Sequence, residues 1–354
     1  MPGSKVSRPR LDQSFVTGSI DTLTGPVPVV PTVLSWRDRI GGYRVRWGIG
    51  RYDYTVDPGL YAVGAPNDLS PVLVTANYKL TFDALRRTLT GRDAWILALD
   101  TRGINVWCAA GKGTFGTVEL VARVKSSGLA QVVSHGVLVL PQLGATGVAA
   151  HEVRRQTGFR CAWGPVRATD VPAFLDAGMR ATDEMRRVRF TLYDRLALIP
   201  VEAVSVVTLT TAVAIGAVLI GGIGPGWYSV ARALERAPIG VAGALAAIIA
   251  GTVATPLLLP WIPVRMFAEK GAAVGIVAAL ILNAAFGYAG QPLSLAAAGV
   301  FAVVGSSFAA MNFTGTSTYT SLHGVEKEMR LAMPWQALGA ALAIVLWIAG
   351  GWIR

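Results

Sequence analysis

Cys108 stands in Asn105-Val106-Trp107-Cys108-Ala109-Ala110-Gly111-Lys112-Gly113, a stretch that sets one thiol among small residues. The pattern reads as an apolar strand giving way at Cys108 to a Gly-rich turn and then a helix. The thiol is therefore expected beside helix-terminal N–H groups and Lys112, both of which favour a thiolate. Ala109, Ala110, Gly111 and Gly113 remove bulk and leave room for a ligand. The competing reading is the common one, in which a free cysteine is an inert, buried small hydrophobe. No His or acid lies nearby in sequence to complete a nucleophilic dyad, so acyl transfer fits poorly. A lone thiolate beside a cleared surface suits a soft metal, and one protein ligand suffices if the metal arrives inside a macrocycle. The run GKGTFG, residues 111–116, is neither GxGxxG nor a Walker A sequence, and is a weak nucleotide signal.

An α/β rhythm surrounds the cysteine. Val72-Leu73-Val74 is a short apolar strand ending at Thr75-Ala76-Asn77-Tyr78, followed by a helix with Leu80, Ala84, Leu85 and Leu89 on one face. Gly91-Arg92-Asp93 breaks that helix. Residues 95–99 form the next strand, and Thr101-Arg102-Gly103 turns into Ile104-Asn105-Val106-Trp107. The helix after Gly113 places Phe115, Val118, Leu120, Val121 and Val124 on or near one side. Strand 136–140, helix 147–157, strand 159–163 and a short helix from Asp170 follow. Continuous apolar strands alternating with amphipathic helices predict a mainly parallel sheet covered on both faces. Ligands of such sheets bind beyond the carboxyl ends of the strands. Those ends fall at 75–78, 108–113, 141–146 and 164–168, and are rich in Gly, Ala and Thr, as approach to a large flat ligand requires.

The flanks differ from this middle. Residues 1–35 read as a poorly ordered leader, 36–190 as a globular domain and 191–354 as a transmembrane domain. From Trp36 to Tyr61 aromatics and arginines interleave. The mixture suits a flat ligand or nucleic acid, but the expectation is a β-rich lead-in covering one edge of the sheet. Five long apolar runs follow Arg195, at about 198–222, 238–259, 271–290, 293–311 and 333–352. Each is long enough to cross a hydrocarbon core of roughly 30 Å, the fourth only marginally. They carry no charge except Glu202 near one end, and no chain of buried acids or bases for ion transport.

Charge and cysteine usage narrow the function classes. Residues 1–197 hold 25 Lys/Arg against 16 Asp/Glu, and residues 198–354 hold 7 against 5. The positive charge is dispersed, and its densest cluster (Arg180, Arg186, Arg187, Arg189, Arg195) directly precedes the first span. That is a cytoplasmic membrane flank rather than a nucleic-acid surface. Arg265, Lys270, Lys327 and Arg330 fall on the same side, which predicts a cytoplasmic N-terminal domain and a C-terminus outside. The segment near Arg232 and Arg236 is a mild exception. MPGSKVSRPRLDQ lacks the apolar core of a signal peptide, in keeping with that orientation. Two cysteines with no CxxC, Cys108 and Cys161, leave neither a disulfide framework nor a thiolate cluster in this chain. Residues 312–329 read as a long hydroxyl-rich cytoplasmic loop, either solvated or touching a partner, a substrate or the first domain.

The segment INVWCAAGKGTFGT, residues 104–117, resembles the cap-helix signature of the mercury-methylating corrinoid protein, the HgcA family. The resemblance extends over residues 66–108, HGVLVLPQLGATGVAAHEVRRQTGF, GPVRATDVPAFL, the five spans and NFTGTSTYTSLHGVEKEM, leaving only the first 30 or so residues outside it. The soluble part is also similar to the corrinoid domain of the large corrinoid iron–sulfur protein subunit of acetyl-CoA synthesis. That relative lacks the cysteine of the Asn-Val-Trp-Cys motif and the membrane domain. The resemblance implies a Rossmann-like α/β corrinoid-binding domain followed by an all-α transmembrane domain of five helices. It implies a base-off, cobalamin-type corrinoid with the Cys108 thiolate as lower axial ligand to cobalt. Methyl transfer from methyl-Co(III) corrinoid to Hg(II) would form methylmercury. A thiolate stabilises Co(III), weakens the methyl bond trans to it, and makes return to Co(I) more demanding. The low-potential donor implied is a ferredoxin-like protein with two [4Fe–4S] clusters, the HgcB family, because this chain has no cysteines for a cluster. The methyl group would come from a methyl-folate-linked donor, and the protein would sit in the inner (cytoplasmic) membrane.

On the same resemblance, Asn105, Val106, Trp107, Ala109, Ala110, Gly111 and Lys112 are expected to shape the lower face of the ring. Thr75, Asn77, Gly144, Ala145, Thr146, Gly164 and Pro165 are expected to line its edge or tail. Cys161 sits at an ordinary apolar strand position, and His135 and His151 are expected to be structural or surface residues. Two other readings stand beside this one. One is a membrane-anchored methyl carrier for one-carbon metabolism, and the other a membrane transport protein with a cytoplasmic ligand-sensing domain.

Overall fold

The computed structural model describes residues 8–313 and 322–353. The chain divides into two compact units, one of Met1–Val45 and Ile49–Val188, the other of Arg46–Gly48 and Arg189–Arg354.

The first unit is built on one sheet of seven strands: β1 (Gly18–Thr22), β2 (Gly25–Val29), β3 (Gly59–Val63), β4 (Val72–Ala76), β5 (Ala94–Leu99), β6 (Val137–Leu140) and β7 (Arg160–Trp163). Their spatial order is β1-β2-β3-β5-β4-β6-β7. The four strands β5-β4-β6-β7 pair in parallel, whereas β3 runs antiparallel to β5. Every residue of β3, β4 and β5 is buried, which is why these strands are continuous apolar runs rather than alternating ones.

Helices cover both faces. On one, Val72, Val74, Leu97 and Leu99 meet Val106 and Ala109 of α3 (Val106–Gly111), Leu120 and Val124 of α4 (Thr117–Ser126), and Val153 of α5 (Ala150–Thr157). On the other, Leu73, Ile96 and Val139 meet Phe82 and Leu85 of α2 (Lys79–Arg86) and Phe174 of α6 (Val171–Asp176).

Two stretches fold otherwise than their composition suggests. Residues 18–29, inside the segment expected to be a poorly ordered leader, form the edge hairpin β1–β2. Residues 36–46, inside the expected β-rich lead-in, form the helix α1 (Trp36–Arg46). An ion network fixes α1 to α2. Lys79 Nζ lies 2.5 Å from Asp38 and 2.7 Å from Asp83, and Arg86 lies 2.9 Å from Asp38 and 2.7 Å from Asp83. Its long-range partners, Asp38 on one helix with Lys79 and Arg86 on another, are invisible to local periodicity. Val118, expected near the apolar side of its helix, is instead 84% exposed on α4.

After the single turn α7 (Asp183–Arg186) comes the second unit, with five helices among the described residues long and apolar enough to cross a membrane. They are α8 (Leu192–Ile220), then α9 (Val230–Ile248) continued through a π-helical turn Ile249–Ala254 into α10 (Thr255–Leu258), then α11 (Phe267–Phe286), α12 (Pro292–Asn312) and α13 (Leu322–Ala349). Small residues let α11 and α12 approach closely: a Cβ on Gly275 would come within 2.6 Å of Val303 Cα.

These helices run beyond the apolar windows and carry cations, buried except for the half-buried Arg232, that bind carbonyl oxygens near helix ends. Arg195 donates to Pro256 O at 3.1 Å and Leu257 O at 2.8 Å, and Lys270 to Leu259 O at 3.0 Å and Ile262 O at 2.5 Å. Arg236 donates to Gly221 O at 2.9 Å and to Trp347 O, and Arg232 to Gly222 O at 2.8 Å and Pro225 O at 2.9 Å. The arginines that looked like a charge exception are thus engaged in closing helix ends. Of the expected loop 312–329, residues 314–321 lie outside the described residues, while 322–329 are helical. Glu328 accepts from the Ala268 N–H at 2.7 Å, satisfying a donor in the first turn of α11.

Candidate functional site

The chain passes from β4 through α2 to β5 and then crosses back over β4 to β6. Strand order therefore reverses between β4 and β6, and the carboxyl ends of these two strands form the topological switch point of the sheet. Asn77, directly after β4, organises the loop beyond β5. Its side-chain oxygen accepts from Thr101 N at 3.0 Å and Gly103 N at 3.2 Å. The Thr101 hydroxyl donates to Ile104 O at 2.6 Å. Gly103 has φ +68°, and a Cβ there would sit 2.7 Å from Tyr52 O, so only glycine fits.

That loop delivers Asn105 as the N-cap of α3, where its side chain accepts from Cys108 N at 2.9 Å. Cys108 is thus the third residue of a six-residue helix, not the end of a strand, and the Gly-rich turn follows the helix. Asn105 carried the sequence signal, since Asn is a favoured cap, but the apolar Ile104–Trp107 run masked it. Ala109 O accepts from both Thr114 N at 2.9 Å and Phe115 N at 3.1 Å and closes the helix.

The helical repeat sorts the expected ring-facing residues into two sets. Val106, Ala109 and Ala110 are 6%, 0% and 5% exposed and belong to the core. Trp107 and Cys108 are half-buried on the outer side, with Gly111 and Lys112 exposed beside them. Ala110 is small because Gly147 packs on it: a Cβ on Gly147 would come within 3.1 Å of Ala110 Cα. Gly111 differs, for a Cβ there would meet nothing within 4 Å. Its backbone φ is not positive, so neither packing nor conformation within the chain requires glycine there.

The loop after β6 supplies the other wall. Its 3-10 turn Gln142–Gly144 packs against α3. Gly144 is buried, and a Cβ would collide with the Phe115 ring at 2.5 Å. Ala145 is half-buried and Thr146 exposed. Thr75 and Asn77 are 3% and 5% exposed. Gly164 and Pro165 are buried, with Gly164 N donating to Leu140 O at 2.7 Å. The structure therefore gathers Trp107, Cys108, Gly111 and Lys112 on the outer side of α3. It places Thr75, Asn77, Gly144, Gly164 and Pro165 beneath the surface, where they hold the loops.

Cys161 lies in β7 opposite Leu138 of β6, and burial pushes its thiol up to about 11, so it stays protonated. His135 lies at the amino end of β6, away from Cys108, with Nε2 2.9 Å from Ser70 O and Nδ1 accepting from Val137 N at 3.2 Å. His151 is 81% exposed. Among the described residues no three His, Cys, Asp or Glu side chains converge as a metal site.

Residues 46–175 match the family described as the CO dehydrogenase/acetyl-CoA synthase delta subunit. The chain is 28% identical over 149 residues to the corrinoid/iron-sulfur protein large subunit of Moorella thermoacetica, covering 42% of this chain and 32% of that protein. The first unit carries a corrinoid-protein-like domain. The chain is also 33% identical over 131 residues to the gamma subunit of the acetyl-CoA decarbonylase/synthase complex of Methanocaldococcus jannaschii, and 32% over 123 residues to that of Methanopyrus kandleri. These matches cover 35% and 34% of this chain, and 26% of each relative. The chain thus spans about a quarter to a third of the length of the relatives it matches, and its five membrane-type helices lie beyond the matched family segment.

Proposed function

We propose that this chain is a membrane-anchored, corrinoid-dependent methyltransferase that delivers a methyl group to Hg(II), forming methylmercury. Cys108 is its lower ligand to the cobalt. The observation that carries the reading is the placement of Cys108 on the outer side of α3, at the switch point of a corrinoid-protein-like sheet, beside an unfilled Gly111. With no converging set of protein donors among the described residues, a metal at Cys108 must bring its other ligands with it, as a macrocycle does. A corrinoid, when bound, supplies a cobalt that carries the methyl group. Cys108 would hold that cobalt as a thiolate, a strong donor that would favour handing the methyl group to a Hg(II) electrophile with both bonding electrons. Trp107, Gly111 and Lys112 form the floor around the thiolate, and Asn105 and Asn77 hold that floor in place.

The electrons for the next cycle must come from outside, since two cysteines cannot hold a [4Fe–4S] cluster. A ferredoxin-like partner of the HgcB family, a methyl-folate-linked donor and an inner-membrane location with the first unit cytoplasmic complete the proposal. The named relatives favour a second reading, a membrane-anchored methyl carrier in one-carbon metabolism whose acceptor is not mercury.

The test is methyl transfer by the full chain loaded with corrinoid and supplied with methyl donor, reductant and ferredoxin. Formation of methylmercury by the wild type and its loss in Cys108→Ala are expected. Methylation of another acceptor but not Hg(II) selects the carrier reading, and full activity of Cys108→Ala overturns the ligand assignment.

A further inference from the structure

We propose that α1, over residues 36–45, forms an interfacial membrane-binding face of the first unit that takes anionic phospholipid. The evidence is a helix whose apolar stripe points outward and whose orientation is locked. Trp36, Ile40 and Tyr43 recur at helical spacing and are 66%, 47% and 67% exposed. The residues on the opposite face, Asp38, Gly42 and Val45, are buried.

At about 100° per residue, Arg37 and Arg44 fall along one flank of the stripe and Arg39 along the other. Arg37 lies over the Trp36 ring at 5.6 Å. The only acid in the helix, Asp38, is turned inward to Lys79 and Arg86. That anchorage prevents α1 from rolling to bury its aromatics. Gly41 and Gly42 reinforce it, because a Cβ on Gly41 would strike the Tyr54 ring and hydroxyl at 2.5–2.8 Å and one on Gly42 would press on Leu80 at 3.3 Å.

An exposed apolar stripe of this kind marks an interaction surface. Its composition commits it to a bilayer interface. Tryptophan and tyrosine settle at the headgroup level, and arginines on both flanks reach anionic headgroups while their stems lie along the apolar boundary. A single interfacial helix binds weakly by itself. Here five membrane-type helices in the same chain keep a bilayer at high local concentration, so weak affinity suffices. The proposal is independent of the cofactor at Cys108.

The full chain would be reconstituted in phosphatidylcholine bilayers with or without phosphatidylglycerol. A photoreactive benzoylphenylalanine replaces Tyr43 in one sample and Val118, 84% exposed on α4, in another. After illumination, phospholipid adducts are expected at position 43 and not at 118, with a several-fold higher yield when phosphatidylglycerol is present. Combining Arg37→Gln, Arg39→Gln and Arg44→Gln should remove that several-fold gain. The buried face is untouched, and an unchanged unfolding midpoint would show that α1 stays in place. Absence of lipid adducts at 43, equal lipid adducts at 43 and 118, or adducts at 43 to a second copy or another protein in native membranes in place of lipid would overturn the proposal.

Discussion

At Cys108 the decisive fact is which neighbours share its side of a short helix. Trp107, Gly111 and Lys112 do, whereas Val106, Ala109 and Ala110 are turned into the core. The two cysteines are not interchangeable: Cys161 is held protonated by burial, with its thiol pushed up to about 11. Cys161→Ala is therefore expected to leave methyl transfer and corrinoid content essentially unchanged, and a loss comparable to that of Cys108→Ala would show that both thiols serve the site. Asn105 caps α3 by accepting from Cys108 N. Losing its cap costs helices about 1 kcal/mol, roughly a fivefold change in an equilibrium. Asn105→Ala should weaken corrinoid retention about fivefold in equilibrium dialysis, and Asn105→Asp, which can still accept from Cys108 N, should restore it. Equal retention in all three proteins would exclude the cap as a positioning device.

Among the elements, the α1–α2 pair depends most on charge. Burial opposes ionisation of Asp38, but the Lys79 hydrogen bond and charge, Ser35 and Arg86 outweigh it and lower its carboxyl to about 2, from an ordinary 3.8. A carboxyl lowered in the folded state stabilises it above its unfolded value. That contribution, on the order of 2 kcal/mol, is lost as pH falls from about 3.8 through about 2. Asp38→Asn leaves two buried cations short of a partner and should cost about 3–5 kcal/mol near neutral pH. The stability gap between wild type and variant, read from denaturant midpoints in detergent, should narrow over that acid range. A gap independent of pH would mean that Asp38 acts through packing alone.

For the molecule as a whole, a corrinoid-protein-like unit is joined in one chain to five helices able to cross a membrane. Arg195, Arg232, Arg236 and Lys270 bind carbonyl oxygens near helix ends, so their positions report helix closure as well as topology. Arg180, Arg186, Arg187 and Arg189, before α8, then carry the predicted orientation signal. A C-terminal alkaline phosphatase fusion is expected to be active and a C-terminal green fluorescent fusion dark, in keeping with a C-terminus outside. The reverse pattern would invert the proposed topology and place the first unit on the other side.

Much of this was legible in the chain. The parallel strands, the helices between them and the five long apolar helices follow from periods of 2 and 3.6 residues and from run length, which need no knowledge of distant neighbours. Residue type singled out the Cys108 stretch, and its proposed link to a corrinoid came from the resemblance. What only the tertiary structure decided were matters of pairing and facing. The hairpin β1–β2 exists because the edge β3 accepts it, although residues 18–29 have little periodicity. Helix α1 is set by Asp38 meeting Lys79 and Arg86 some forty residues away, a contact no local pattern encodes. Gly144 and Gly111 look equivalent in sequence. The fold separates them, because one lies under the Phe115 ring and the other faces open space. Local physics chose the elements, whereas burial and close approach between distant segments chose which small residues serve packing and which leave room for a ligand.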